Sequence, residues 1–441
     1  MNFRIFLIVP LLLLHSGCSS FGEGLMRGLV QQEDEDTRQC YVRGPAFDGI
    51  DQMIEVSEQS GVALDSDIKV LMVHGIGTHL PGYSTRLAEN LARELGLDVV
   101  ERTPKVITLR LHFDPVLFKK NLALGHVRGE LGEKNGNLTL QRYRNKDGSR
   151  SMVFYELTWS EITAADKRIM TFDDSGAYSF RRAGLNNDLK KFINSHLPDP
   201  LIYLGDAQGN IQSAVSQALC WMFTQDYEEV PEHVDQVCDF HDYPPDQLIN
   251  DSFVFVSHSL GSRILTDALQ GVTAAVAKER DDKMGRYSEV AGKWVDAMQQ
   301  EPLTIFMLSN QLPLLQLGRP VPAVTNQFDD YCTAEGANSD GRVFAESKII
   351  AVSDPNDILS WSVPPGYEDR YIDSRMCPVL TNVIINIAKV KNLLGVELAA
   401  PGEAHRGYDN DERVVKMIAR GLGKPQSDPL IEERCEWLEV R

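Results

Sequence analysis

Ser259 sits in Ser257-His-Ser-Leu-Gly261, with a small residue two positions before it and another two positions after it. The apolar run Phe253-Val-Phe-Val256 precedes this motif and reads as a strand, and a helical pattern runs from Ser262 to about Arg280. A tight strand-to-helix turn demands small flanking residues, and Ser257 and Gly261 satisfy it. Such a turn lifts a serine Oγ above the sheet edge. It also aims the start of the helix at a reacting carbonyl, where the Leu260 N–H can hold an oxyanion. Ser259 is therefore a candidate nucleophile, and a serine nucleophile needs a base to take its proton. After Ser259 the chain contains one histidine, His405, in Ala404-His-Arg-Gly-Tyr408. Imidazole titrates near neutral pH, which suits the role. A second glycine-bearing loop, His74-Gly-Ile-Gly-Thr-His79, follows another apolar run; its glycines let the backbone turn sharply and approach a ligand. His74 and His79 are expected to organise that loop rather than to move protons. No phosphate-binding G-x-x-x-x-G-K-[ST] pattern occurs.

The elements that must position these residues alternate between strand and helix. Ile68–Val73 reads as a buried strand, and Thr85–Leu95 has apolar residues at helical spacing. Val106–His112, Met152–Trp159, Leu303–Leu308, Lys348–Val352 and Val383–Ala388 read as further strands. This alternation predicts an α/β fold with a mostly parallel central sheet and helices on both faces. His74 and Ser259 are 185 residues apart, far more than two βα units occupy, so an inserted and mainly helical cap is expected over about 160–245. Within it, Ile211, Ala214, Val215, Ala218, Leu219 and Met222 line one helical face, with Gln212, Ser213, Ser216 and Gln217 opposite. Packing inside the cap is the expected role of this helix, and a lid is the alternative.

With its strand before and helix after, the Ser257–Gly261 motif resembles the nucleophile elbow of the α/β-hydrolase fold, in the serine esterase and lipase family, with serine in place of the first glycine. The resemblance covers roughly residues 65–420. It implies that the loop after the first strong strand supplies a second oxyanion donor, the N–H of Ile76. It also implies the order nucleophile, acid, base. The acid then falls in Ser353-Asp-Pro-Asn-Asp-Ile-Leu-Ser360. Asp357 is the expected acid, and Asp354 is the alternative, with a turn-capping role if it is not. The implied activity is cleavage of carboxylic esters, acyl lipids or other acyl esters, through a Ser259-His405-Asp357 triad and an acyl-enzyme, with no cofactor and no metal. A thioesterase, a peptidase and a non-catalytic envelope lipoprotein that uses the fold for binding are the competing readings.

Composition bounds the partners. The net charge of −19 sets nucleic acid aside, because so acidic a chain repels phosphate backbones. Arg4 and the apolar run Ile5–Leu14, followed by Ser16-Gly17-Cys18, are similar to a bacterial lipoprotein signal. That likeness implies a signal peptide over 1–18, lipidation of Cys18 and a membrane tether; ordinary cleavage nearby is the alternative. Ser19 after the cysteine implies an outer-membrane address. Residues 19–64 are expected to form a tether and approach segment, 65–425 the hydrolase domain, and 426–441 a C-terminal tail. Of seven cysteines, six remain after Cys18, and export makes disulfides plausible among 15 pairings. Cys238, His241 and Asp242 lie close together, but the pattern is a weak metal signal, and a disulfide-bearing loop is the expectation.

Overall fold

The computed structural model describes residues 39–59, 66–112, 127–170, 173, 182–281, 289–393 and 396–438. The expected signal segment and its Cys18 lie outside the described residues. Fourteen strands are present among those described: β1 Cys40–Arg43, β2 Ile68–Val73, β3 Asp98–Val99, β4 Lys105–Arg110, β5 Lys134–Arg144, β6 Ser151–Thr158, β7 His233–Val234, β8 Ser252–His258, β9 Pro302–Leu308, β10 Glu346–Ser353, β11 Pro378–Ile385, β12 Lys391–Leu393, β13 Val396–Leu398 and β14 Cys435–Trp437. The helices that matter below are α1 Ile50–Gln59, α2 Thr85–Glu94, α3 Glu161–Lys167, α4 Gly184–His196, α5 Pro198–Leu204, α6 Gln208–Thr224, α7 Gly261–Asp281, α8 Glu289–Met298, α9 Pro401–Arg406 and α10 Glu412–Arg420.

Twelve strands make one sheet in the order β14-β1-β11-β10-β9-β8-β2-β6-β5-β4-β7, with β3 beside β5, and β12 pairs with β13 separately. From β11 to β6 the sheet is a parallel block. β5 runs against β6 and β4, and β1 runs against β11. The protein is thus α/β with a large, mostly parallel sheet. Side chains on a strand alternate between faces, and the two hydrophobic cores follow that rule. Val70, Met72, Val254 and Val256 face one core with Leu87, Leu91, Val414 and Ile418 from α2 and α10. Leu71, Val73, Phe253 and Phe255 face the other with Ile211, Leu219, Ile264 and Leu269 from α6 and α7. Each large apolar side chain so covered contributes about 1.5–3 kcal/mol.

The chain leaves β2 toward β4, β5 and β6 on one side, and leaves β8 toward β9 and β10 on the other. The loops beyond β2 and β8 therefore diverge at the carboxyl edge of the sheet, the position where ligands bind in open α/β sheets.

Two expectations are corrected. The helix α6, expected to pack inside a cap, is buried nearly throughout and packs on the sheet beside α7. Its polar residues are inside too, because Gln212 donates to Tyr203 Oη and to the Ile264 carbonyl, Ser213 to the His112 carbonyl, and Gln217 to the Cys238 carbonyl. The stretch expected as an approach segment contributes β1 and α1, and the expected C-terminal tail contributes β14. β1 and β14 pair in parallel, and a disulfide joins Cys40 to Cys435 across them. His405 lies in the helix α9, opened by Pro401 at its first turn. Cys220–Cys238 and Cys332–Cys377 are the other disulfides. No described helix is long and apolar enough to cross a membrane.

Candidate active site

Ser259 follows β8 directly and adopts φ 55°, in the left-handed region that non-glycine residues rarely enter. Its N–H is held by the Leu308 carbonyl at 2.9 Å, and its carbonyl accepts from Ser262 Oγ at 2.7 Å. Small neighbours are required, as the sequence indicated. A side chain on Gly261 would strike the Val73 and His74 carbonyls, and a Cβ on Gly75 would come within 2.6 Å of Ser259 Cβ. The elbow and the glycine loop thus pack backbone to backbone. Ser259 is fully buried, and its Oγ has no hydrogen-bond partner among the described residues. Buried hydroxyls without a partner also occur at Tyr155, Ser347 and Ser360, so the open Oγ counts here only together with the left-handed backbone.

The loops after β10 and β11 bring the expected acid and base together. Nδ1 of His405 is 3.0 Å from both Asp357 oxygens. With a carboxylate as its partner, Nδ1 carries the proton, which leaves the Nε2 lone pair free to accept one. Burial raises the Asp357 carboxyl, but bonds from His405, Ser309 and the Leu359 N–H outweigh it and hold the group below its ordinary range. Asp354 does something else. Its Oδ1 accepts from the Asn356 N–H at 2.7 Å, and its Oδ2 accepts from the Ile387 and Ala388 N–H groups at 2.8 and 3.0 Å. It ties the β10 loop to the β11 loop. Ser259 and His405 share no hydrogen bond in this structure.

Two residues that the sequence did not single out complete the cluster. Ser309 follows β9 as Ser259 follows β8, also with positive φ, at 52°. Its hydroxyl donates to Asp357 Oδ2 at 2.7 Å and lies 2.9 Å from His405 Nδ1. His258 donates from Nε2 to the His405 carbonyl at 2.7 Å and meets the His405 ring edge to face. Burial, reinforced by the neighbouring His405, pushes His258 down to about 3, so it stays neutral. The only sequence signals are position: one follows an apolar run, and the other precedes the nucleophile.

In the glycine loop, neither the Ile76 nor the Leu260 N–H has an acceptor among the described residues. The loop is built on rings, with His74 stacked between His79 at 4.2 Å and Trp159 at 4.5 Å. His74 receives the Trp159 N–H on Nε2 and donates from Nδ1 to the Gly75 carbonyl. Burial, and then the nearby His79, keep His74 well below its usual range, so it serves as a neutral spacer. Glu156 on β6 accepts the Gly82 and Ser84 N–H groups at 2.5 and 2.8 Å and fixes the turn that leads into α2. Among the described residues no cluster of three or more His, Cys, Asp or Glu is arranged to hold a metal, and Cys238 is committed to its disulfide.

Comparison with models of protein families, with curated proteins and with solved structures finds no match for this chain.

Proposed function

We propose that the protein is a serine hydrolase that cleaves carboxylic esters through Ser259, His405 and Asp357. The observation that carries this reading is the strained elbow. Ser259 is held at φ 55° with an unpartnered Oγ, and its neighbour His258 meets the carboxylate-bound imidazole of His405. Such strain costs on the order of 1–3 kcal/mol and persists at sites where geometry serves a purpose. In the proposed reaction His405 Nε2 takes the Ser259 proton as Oγ attacks the ester carbonyl carbon. The oxyanion gains hydrogen bonds from the Ile76 and Leu260 N–H groups. The tetrahedral intermediate then collapses, the C–O bond to the alcohol breaks, and His405 gives the alcohol its proton. Water attacks the acyl-enzyme by the same route and regenerates Ser259. The bond between Ser259 and His405 that this chemistry needs is one that often tightens only when substrate is bound.

Acyl lipids are the proposed substrates within this class. That choice rests on the lipoprotein-like N-terminus, which on this reading tethers the protein to the outer membrane through Cys18. The test is hydrolysis of p-nitrophenyl esters of increasing chain length by the purified protein. Turnover that rises with chain length supports a lipid esterase, and a short-chain optimum points to a small-molecule esterase. A folded protein that turns over neither esters nor thioesters nor anilides would leave the binding-protein reading in its place.

A further inference from the structure

We propose that Asp199, in the helical insertion, is a positioning residue that sets the oxyanion donor Ile76 and so makes that insertion part of the catalytic apparatus. This proposal rests on the serine hydrolase reading above.

The insertion reaches the glycine loop through Ser160, which bonds the His79 backbone, through His196, and through the charged Asp199. Asp199 on α5 is fully buried, and its Oδ2 accepts the Gly77 N–H at 2.7 Å. Its other oxygen accepts from Thr163 Oγ1 at 2.7 Å, and Lys167 Nζ lies 2.9 Å away, both groups coming from α3. A buried ion pair is poor evidence of a stabilising device, because desolvation offsets most of the attraction. This one delivers a charged acceptor to a single backbone donor, and charge-assisted bonds are the stronger kind. His196 on α4 covers the same glycine: a Cβ on Gly77, which has φ 102°, would lie 3.2 Å from its ring.

The peptide groups around Ile76 are consequently held along their length. The Gly75 carbonyl accepts from His74 Nδ1 at 2.8 Å, and the Ile76 carbonyl accepts from His79 Nε2 at 3.1 Å. The Gly77 N–H, in the same peptide unit as the Ile76 carbonyl, is taken by Asp199. On the other side Gly75 abuts Ser259. Ile76 lies between the elbow and the insertion, with its own N–H left open. Of these restraints, only Asp199 comes from the insertion and carries a formal charge.

The test compares wild type, Asp199→Asn and Asp199→Ala by kcat and KM on a p-nitrophenyl ester, by near-ultraviolet circular dichroism, and by hydrogen exchange of the peptide spanning 74–84. Asn keeps an acceptor for the Gly77 N–H and Ala removes it. The expected result is a fall in kcat of about 10²-fold or more in the Ala variant, the scale of a lost oxyanion donor. KM should stay within about threefold, with faster exchange over 74–84, and the Asn variant should retain kcat within about tenfold. A folded Ala variant with wild-type kcat overturns the proposal, as does an Asn variant as impaired as the Ala variant. If the Ala variant does not fold, Asp199→Glu replaces it. Glu keeps the charge for Lys167 but displaces the acceptor, so unchanged kcat there overturns the proposal and a fall of tenfold or more supports it. If wild type itself turns over no ester, the hydrolase reading fails, and the exchange of 74–84 alone decides whether Asp199 clamps the loop.

Discussion

The two ends of β2 carry buried polar clusters of opposite character. At the amino end Lys69, fully buried, donates to the Met222 and Gln225 carbonyls at the close of α6 and pairs with Asp251 at 2.7 Å. Asp251 also accepts the Asp67 N–H, Asp67 pairs with Arg142 at 3.1 Å, and Arg142 pairs with Glu228. Each of those charges has an opposite charge in contact, and the lysine sits where a helix C-terminus attracts a cation. At the carboxyl end Ser259 Oγ is unpartnered, and Ser259 and Ser309 occupy the left-handed region. One cluster pairs each of its charges with an opposite charge and ties elements together. The other holds most members tightly but leaves a hydroxyl and two backbone N–H groups open. What sets the carboxyl end apart as a candidate site is an open hydroxyl on a left-handed residue together with a carboxylate-bound imidazole.

The sharpest way to break this comparison is the pair of aspartates at the carboxyl end. Asp357→Asn should lower kcat by about 10³–10⁴-fold, because the amide no longer enforces the Nδ1–H form of His405. Asp354→Asn should leave kcat within about threefold and cost roughly 1–3 kcal/mol of stability through its backbone bonds. Kinetics and urea melts on both variants check this, and a reversal of the two phenotypes would exchange their roles. Lys69→Met at the other end should cost about 3–5 kcal/mol, since it strands a buried carboxylate, and should leave kcat at 25 °C unchanged in the folded fraction. A loss of kcat without a loss of stability would erase the distinction between the two ends.

Acid and base limbs of the stability curve separate the clusters further. His258 is neutral in the fold down to about 3, whereas in the unfolded chain it protonates near 6.5. The unfolded state therefore takes up the proton first, and stability present above 6.5 is lost as pH falls from there toward 3. His258→Asn should flatten that limb in urea melts taken across the window. Near the amino-end cluster burial, with Asp251 adding to it, pushes the Glu301 carboxyl up to about 8. Its contribution has the opposite sign: it is present below 4.5 and lost as pH rises through 8. The smallest expected effect is therefore a gain in melting temperature for Glu301→Gln at pH 9 and little change at pH 4.

Local features of this molecule were legible in its sequence. β2, β8, β9 and β10 are short runs rich in apolar and β-branched residues, and each lies where such a run was read. The β8 turn was recognisable because its flanking residues had to be small. The order implied by the α/β-hydrolase resemblance points to Asp357 and His405, and the structure brings the two into contact. What escaped was long-range. β5, with Lys134-Asn-Gly-Asn before its first leucine, looks too polar for a strand, yet it is fixed by antiparallel neighbours on both sides. α6 looked half exposed because its glutamines and serines find partners from residues far away in the chain. Ser309, His258 and Asp199 act through contacts with residues 48, 147 and 122 positions away. No local pattern encodes such partners.

The most direct test of the central claim is covalent labelling of the folded protein with a fluorophosphonate, followed by peptide mass spectrometry. The expected result is one adduct on Ser259, absent from Ser259→Ala and formed far more slowly by His405→Ala. A folded protein that takes up no label, or an adduct on Ser309 in place of Ser259, would contradict it.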